Sequence, residues 1–180
     1  IFDCEIPPLW QEVAEEKGFE ITARVKDRFH LVLRHDPCGG EMICKVFTLQ
    51  TAMPVCPTCV AAARERLCRE AGVTFLGAAD RSHYLRIRLA CGHETERQTE
   101  LLERVRQGTT GIRCITCTND RYRAEAAAQD WALIGADPEN DPSFRLYRHS
   151  CGHVQRVAIV NMTTGRFACG ECSEGWTLDP

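Results

Sequence analysis

The sequence predicts a tandem array of three small α+β modules, and three observations carry that prediction. A CxxC pair occurs three times, at Cys56–Cys59, Cys114–Cys117 and Cys169–Cys172, with spacings of 58 and 55 residues. A Cys-Gly landmark precedes each pair: Cys38-Gly39-Gly40, Cys91-Gly92-His93 and Cys151-Gly152-His153, at spacings of 53 and 60 residues. A segment rich in Ala, Glu and Arg opens each unit, at Leu9 to Lys17, Val60 to Ala71 and Asp120 to Asp130. Landmarks that keep one order three times define repeats. Their bounds fall at 1–59, 60–117 and 118–180.

Each element follows in turn. Apolar residues near helical spacing make the opening segment a helix. Gly18, Gly72 and Asp130 end the three helices and are followed by Phe19, Val73 and Trp131. A glycine after a helix suits a left-handed cap. A short apolar strand follows, in which Phe75-Leu76-Gly77 matches Leu133-Ile134-Gly135. The next strand runs into the Cys-Gly turn, over Phe29 to Leu33, Tyr84 to Leu89 and Phe144 to Tyr147. Phe29, Tyr84 and Phe144 are expected at equivalent strand starts. In the middle copy Leu85, Ile87 and Leu89 alternate with Arg86 and Arg88, as a half-buried strand requires. A further strand or turn leads to CxxC, where the next helix begins.

Composition limits what such modules can be. Of 180 residues, 44% are hydrophobic and 26% charged, a globular balance. No apolar run approaches the ~20 residues of a membrane span. The start, Ile1-Phe2-Asp3-Cys4, has neither the basic flank nor the cleavage pattern of a signal peptide. A cytoplasmic protein without membrane contact is therefore expected. Twelve cysteines suit either a disulfide framework or metal ligation. Paired CxxC cysteines are poor staples and good metal knuckles, so the spacing favours metal, and zinc above all.

Three structural zinc sites follow. The second takes Cys91, His93, Cys114 and Cys117, and the third Cys151, His153, Cys169 and Cys172. His149 is a rival in the third site; His153 is preferred because its position matches that of His93. In the first site Gly40 stands where a histidine is expected. Cys38, Cys56 and Cys59 then leave the fourth place to His35 or Cys44. His35 is preferred because a turn through Pro37 brings it close to Cys38. Cys4, Cys44 and Cys68 are expected to be small buried side chains. Closed four-ligand sites are structural rather than catalytic. No metalloprotease, nucleophile-elbow, phosphate-loop or deaminase signature is present, so no enzyme and no small-molecule substrate are expected.

The order of helix, hairpin knuckle and CxxC-capped helix resembles a treble clef. The Cys-Gly-His turn, the preceding glycines (Gly108 or Gly111, and Gly165) and the closing CxxC resemble bacterial and phage tandem zinc-ribbon repeats. Those repeats occur beside endonuclease domains of the very-short-patch-repair and homing types. The resemblance implies a DNA-targeting module, with RNA as a second ligand and further domains or subunits of a larger protein as partners. Net charge is −3, and three Cys3His sites bring it to roughly −6, so loose coating of nucleic acid is excluded. Contact is instead expected at Arg86 and Arg88 and at their counterparts Arg145 and Arg148, since Arg suits phosphate and guanine edges. From Ala61 to Arg113 ten Arg stand against seven acids, which makes the middle repeat locally basic. The alternative is a protein–protein scaffold, with Trp10, Trp131 and Trp176 as candidate anchors.

Overall fold

The computed structural model describes residues 5–173. Three antiparallel three-stranded sheets follow one another along the chain. Helix α1 (Pro8–Glu16) precedes β1 (Phe19–Arg24), β2 (His30–His35), β3 (Glu41–Lys45) and a short helix α2 (Val46–Thr51). Helix α3 (Pro57–Glu70) precedes β4 (Thr74–Ala78), β5 (Tyr84–Arg88), β6 (Glu94–Gln98) and α4 (Thr99–Arg106). Helix α5 (Ile115–Ala127) precedes β7 (Trp131–Ala136), β8 (Phe144–His149), β9 (Val154–Ala158) and α6 (Ile159–Thr164), and α7 (Gly170–Ser173) follows. The chain forms two compact units, Ile1–Gly111 with the first two sheets and Ile112–Pro180 with the third. Among the described residues no helix is long and apolar enough to cross a membrane.

The repeat holds at the level of register. In each sheet the first strand carries an irregularity at the same place, between Ile21 and Ala23, Phe75 and Gly77, and Leu133 and Gly135. A bulge bends the strand and increases its twist, so its recurrence gives the three hairpins one local shape. The turn after each long helix is also shared. Gly18, Gly72 and Asp130 have φ of 75°, 73° and 62°, the left-handed conformation expected of the caps.

Pairing fixes which residues correspond. His30, Tyr84 and Phe144 lie opposite Lys45, Gln98 and Ala158, the last residues of β3, β6 and β9. The expected alignment of Phe29 with Tyr84 and Phe144 is therefore off by one, and His30 holds that place. One face of each central strand forms the core: Leu31 and Leu33, Leu85 and Ile87, and Tyr147 are all buried. The short helices close that core with Leu49, Leu102 and Met162, each four residues past the last strand and fully buried. Burying such a side chain contributes about 1.5–3 kcal/mol. These helices occupy stretches expected to be strand or turn.

The other face carries the arginines. Arg34, Arg88 and Arg148 occupy one register position, opposite Glu41, Glu94 and Val154, and all three are exposed. Arg86 shares the face with Arg88. Arg145 does not share it with Arg148: three residues apart on a strand, their side chains point to opposite faces. Arg145 takes the place that Leu31 and Leu85 hold in the other sheets. There its guanidinium donates to the Pro142 and Phe144 carbonyls.

Candidate metal centres

Each Cys-Gly landmark is a tight turn between the second and third strands of a sheet. Its glycine, Gly39, Gly92 or Gly152, has φ of 66°, 88° or 97°, a conformation that side chains with a Cβ rarely adopt. A backbone hydrogen bond closes the turn in all three modules. His35 N–H donates to Gly40 O (2.9 Å), Leu89 N–H to His93 O (2.9 Å) and His149 N–H to His153 O (2.8 Å). This bond defines two facing positions. The strand-end position holds His35, Leu89 and His149; the knuckle-exit position holds Gly40, His93 and His153.

The CxxC pairs come from elsewhere in the sequence. Cys56 and Cys114 cap α3 and α5, so the second cysteine of each pair sits in the helix's first turn. Cys114 Sγ accepts the Cys117 N–H at 3.4 Å, and Cys38 Sγ accepts the Gly40 N–H at 3.4 Å. Backbone N–H groups and the positive end of a helix both favour thiolate over thiol.

Among the described residues the donors form three groups, in each of which one ligand atom per residue lies within 4.8 Å of all the others. The groups are His35, Cys38, Cys56 and Cys59; Cys91, His93, Cys114 and Cys117; and His149, Cys151, Cys169 and Cys172. Each is a Cys3His set able to hold a metal ion. In the first, His35 Nδ1 stands 3.2 Å from Cys38 Sγ and 3.3 Å from Cys59 Sγ, and the Cys38 and Cys56 sulfurs are 3.5 Å apart. Cys44, the rival for this place, is buried in the hydrophobic core beside Leu31 and Leu49, and Cys68 is buried on α3. Cys4 and Trp176 lie outside the described residues.

The third group departs from expectation, holding His149 where His153 was preferred. The strand-end position packs alike in the first and third modules. His35 lies against Phe19, ring centroids 4.8 Å apart, and His149 lies against Trp131 at 4.7 Å. An aromatic residue at the first-strand start thus supports a histidine at the strand end. The second module has Val73 and Leu89 there, and its imidazole comes from His93. His153 still stands beside the group, with Nδ1 3.2 Å from Cys151 Sγ and 3.7 Å from Cys169 Sγ.

The crowded thiols compete for charge. Cys151 is drawn down to about 6, first by the hydrogen bond from Cys172, while that same bond pushes Cys172 up to about 12. Cys59 is pushed up to about 11, first by its bond with Cys38. Neighbouring thiolates repel one another, and a divalent cation removes that penalty by accepting all of them.

Fold and clusters together define a class: small α+β modules in tandem, each associated with a Cys3His cluster. No protein-family model, curated protein or solved structure matches the chain.

Proposed function

We propose that the three clusters are structural zinc sites and that the chain is a non-enzymatic nucleic-acid-binding array, with DNA as its principal ligand. Zinc is favoured by the donors, because three thiolates and an imidazole suit it and not a hard cation. Spacing agrees. Thiolates about 2.3 Å from a tetrahedral zinc stand roughly 3.8 Å apart, and the sulfur pairs Cys38–Cys56 and Cys151–Cys169 are separated by 3.5 and 3.7 Å. Modules this small bury too little apolar surface to be stable alone, so zinc binding supplies part of their folding free energy. Four protein ligands leave no open position for a substrate, the mark of a structural site.

The observation that carries nucleic-acid binding is the recurrence of Arg34, Arg88 and Arg148 at one exposed register position. Arg34 pairs with Glu20, and Arg88 with Glu94 at 2.7 Å. Both pairs are exposed, where an ion pair contributes about 0–1 kcal/mol, so a phosphate can displace the carboxylate. The test is fluorescence anisotropy with duplex DNA, single-stranded DNA and RNA at several salt concentrations. Binding should weaken steeply with salt, and each arginine replaced by alanine should flatten the log–log slope by about one.

A second reading, a protein-docking scaffold, is favoured by one feature of the first module. Phe47, Met53 and Val55 are 72%, 61% and 65% exposed within nine residues of chain. Absence of binding to every nucleic acid at low salt, with the metals in place, would make this the leading reading.

A further inference from the structure

We propose that the third cluster is a five-donor zinc site, in which His149 and His153 are interchangeable fourth ligands. The inference rests on the zinc reading above and goes beyond it. The first module has an imidazole at the strand-end position only, because Gly40 occupies the knuckle exit. The second has one at the knuckle exit only, because Leu89 occupies the strand end. The third has both, facing each other across the closing hydrogen bond from His149 N–H to His153 O.

Both imidazoles face the same thiolate. Cys151 Sγ lies 2.9 Å from His149 Nδ1 and 3.2 Å from His153 Nδ1. Each histidine also reaches one cysteine of the CxxC pair, His149 Nδ1 to Cys172 Sγ at 3.8 Å and His153 Nδ1 to Cys169 Sγ at 3.7 Å. Tetrahedral zinc at ordinary bond lengths places nitrogen roughly 3.5 Å from each sulfur, and both rings lie near that separation from two thiolates.

Each ring is also held in a way that suits a ligand. His149 packs on Trp131. His153 directs Nε2 at Glu171 Oε2, 2.8 Å away. A carboxylate on the far nitrogen fixes the tautomer that leaves Nδ1 free for metal, the usual outer-shell support of a zinc-bound histidine. His149 belongs to the compact four-donor group, yet His153 has the better-prepared far nitrogen. Both rings stand on one hairpin closed by the His149–His153 backbone bond, so either can serve with the strand pairing unchanged.

The experiment counts zinc ions retained by the full chain, using native mass spectrometry with free zinc fixed by a chelator buffer. Free zinc is set where His35→Ala, which has no spare imidazole in its module, retains two ions and the wild type three. His149→Ala and His153→Ala should each retain three, and the double variant two. Substitution with Co2+ gives a second readout. Both single variants should keep the sulfur-to-cobalt charge-transfer intensity of a three-thiolate site, with only the visible ligand-field bands shifted. If either single variant drops to two ions, the other histidine cannot replace it and the proposal is overturned. If the double variant retains three, neither histidine is a ligand and the proposal is again overturned. Failure of the zinc reading is distinct, since the wild type would then hold no zinc at all.

Discussion

Gly40 is a place where one methyl group should disturb a metal centre. A Cβ there would fall 2.4 Å from Thr58 Oγ1, 2.8 Å from Thr58 Cβ and 3.2 Å from Cys38 Sγ. Non-bonded heavy atoms prefer about 3.5–4.0 Å, so the overlap with Thr58 is about 1 Å. Rotating Thr58 about χ1 moves its hydroxyl but leaves its Cβ in place, so backbone must move. Thr58 lies between Cys56 and Cys59 in the first turn of α3, and Gly40 ends the turn that carries Cys38. Any shift that relieves the overlap therefore separates Cys38 from the CxxC pair. Overpacking of this kind costs about 1–3 kcal/mol. Gly40→Ala should lower the stability of the first module by that amount in urea unfolding and weaken zinc retention at the first site alone. Thr58→Gly removes both close atoms, so the double variant should recover most of the loss, with a coupling energy of about 0.5–3 kcal/mol. An unchanged Gly40→Ala protein, or a double variant no better than the sum of the singles, would refute the steric argument.

Further perturbations test other parts of the fold. Leu102→Ala opens a cavity beneath α4 where the side chain is fully buried, and should cost about 2–5 kcal/mol in chemical denaturation. Trp131→Ala should cost about 3–5 kcal/mol and also remove the ring that supports His149, so nuclear magnetic resonance should show the His149 imidazole losing its fixed environment. Asp137 is buried and accepts two hydrogen bonds from Arg156, which hold its carboxyl below the usual 3.8. A carboxylate with a depressed folded pKa stabilises fully above its unfolded value and loses that effect only as pH falls through the folded one. Asp137→Asn should therefore lower the melting temperature of the third module by an amount constant from pH 5 to 8; a deficit that grows or shrinks across that range would contradict the pairing.

Periodic and chemical signals were legible in the sequence; side-chain partnerships across strands were less so. The left-handed caps at Gly18, Gly72 and Asp130 could be read because backbone conformation there depends on the local residue. The alternation of Leu85, Arg86, Ile87 and Arg88 likewise fixes which side chains are buried. The short helices are not legible in the sequence, because six to eight residues such as Val46–Thr51 carry too few turns for a periodic signal. Aromatic character aligns Phe29 with Tyr84 and Phe144, whereas strand pairing puts His30 there. The place of Arg145 follows from alternation alone, since three residues of strand reverse the face. The sequence does carry a signal for His149: an aromatic residue begins the first strand in the modules with a strand-end histidine, Phe19 with His35 and Trp131 with His149, and Val73 accompanies Leu89. That pairing spans 16 and 18 residues of chain and becomes apparent only once the hairpin register is known.

The proposal that three Cys3His clusters each hold a zinc ion, and that these ions support the fold, has a direct test. Native mass spectrometry of the 180-residue chain prepared without chelator, paired with far-ultraviolet circular dichroism before and after chelation, tests this directly. Three zinc ions per chain, reduced cysteines in all the CxxC pairs, and loss of ordered structure on metal removal are the expected results. One or no bound zinc, disulfides within the CxxC pairs, or an unchanged spectrum after complete metal removal would contradict it.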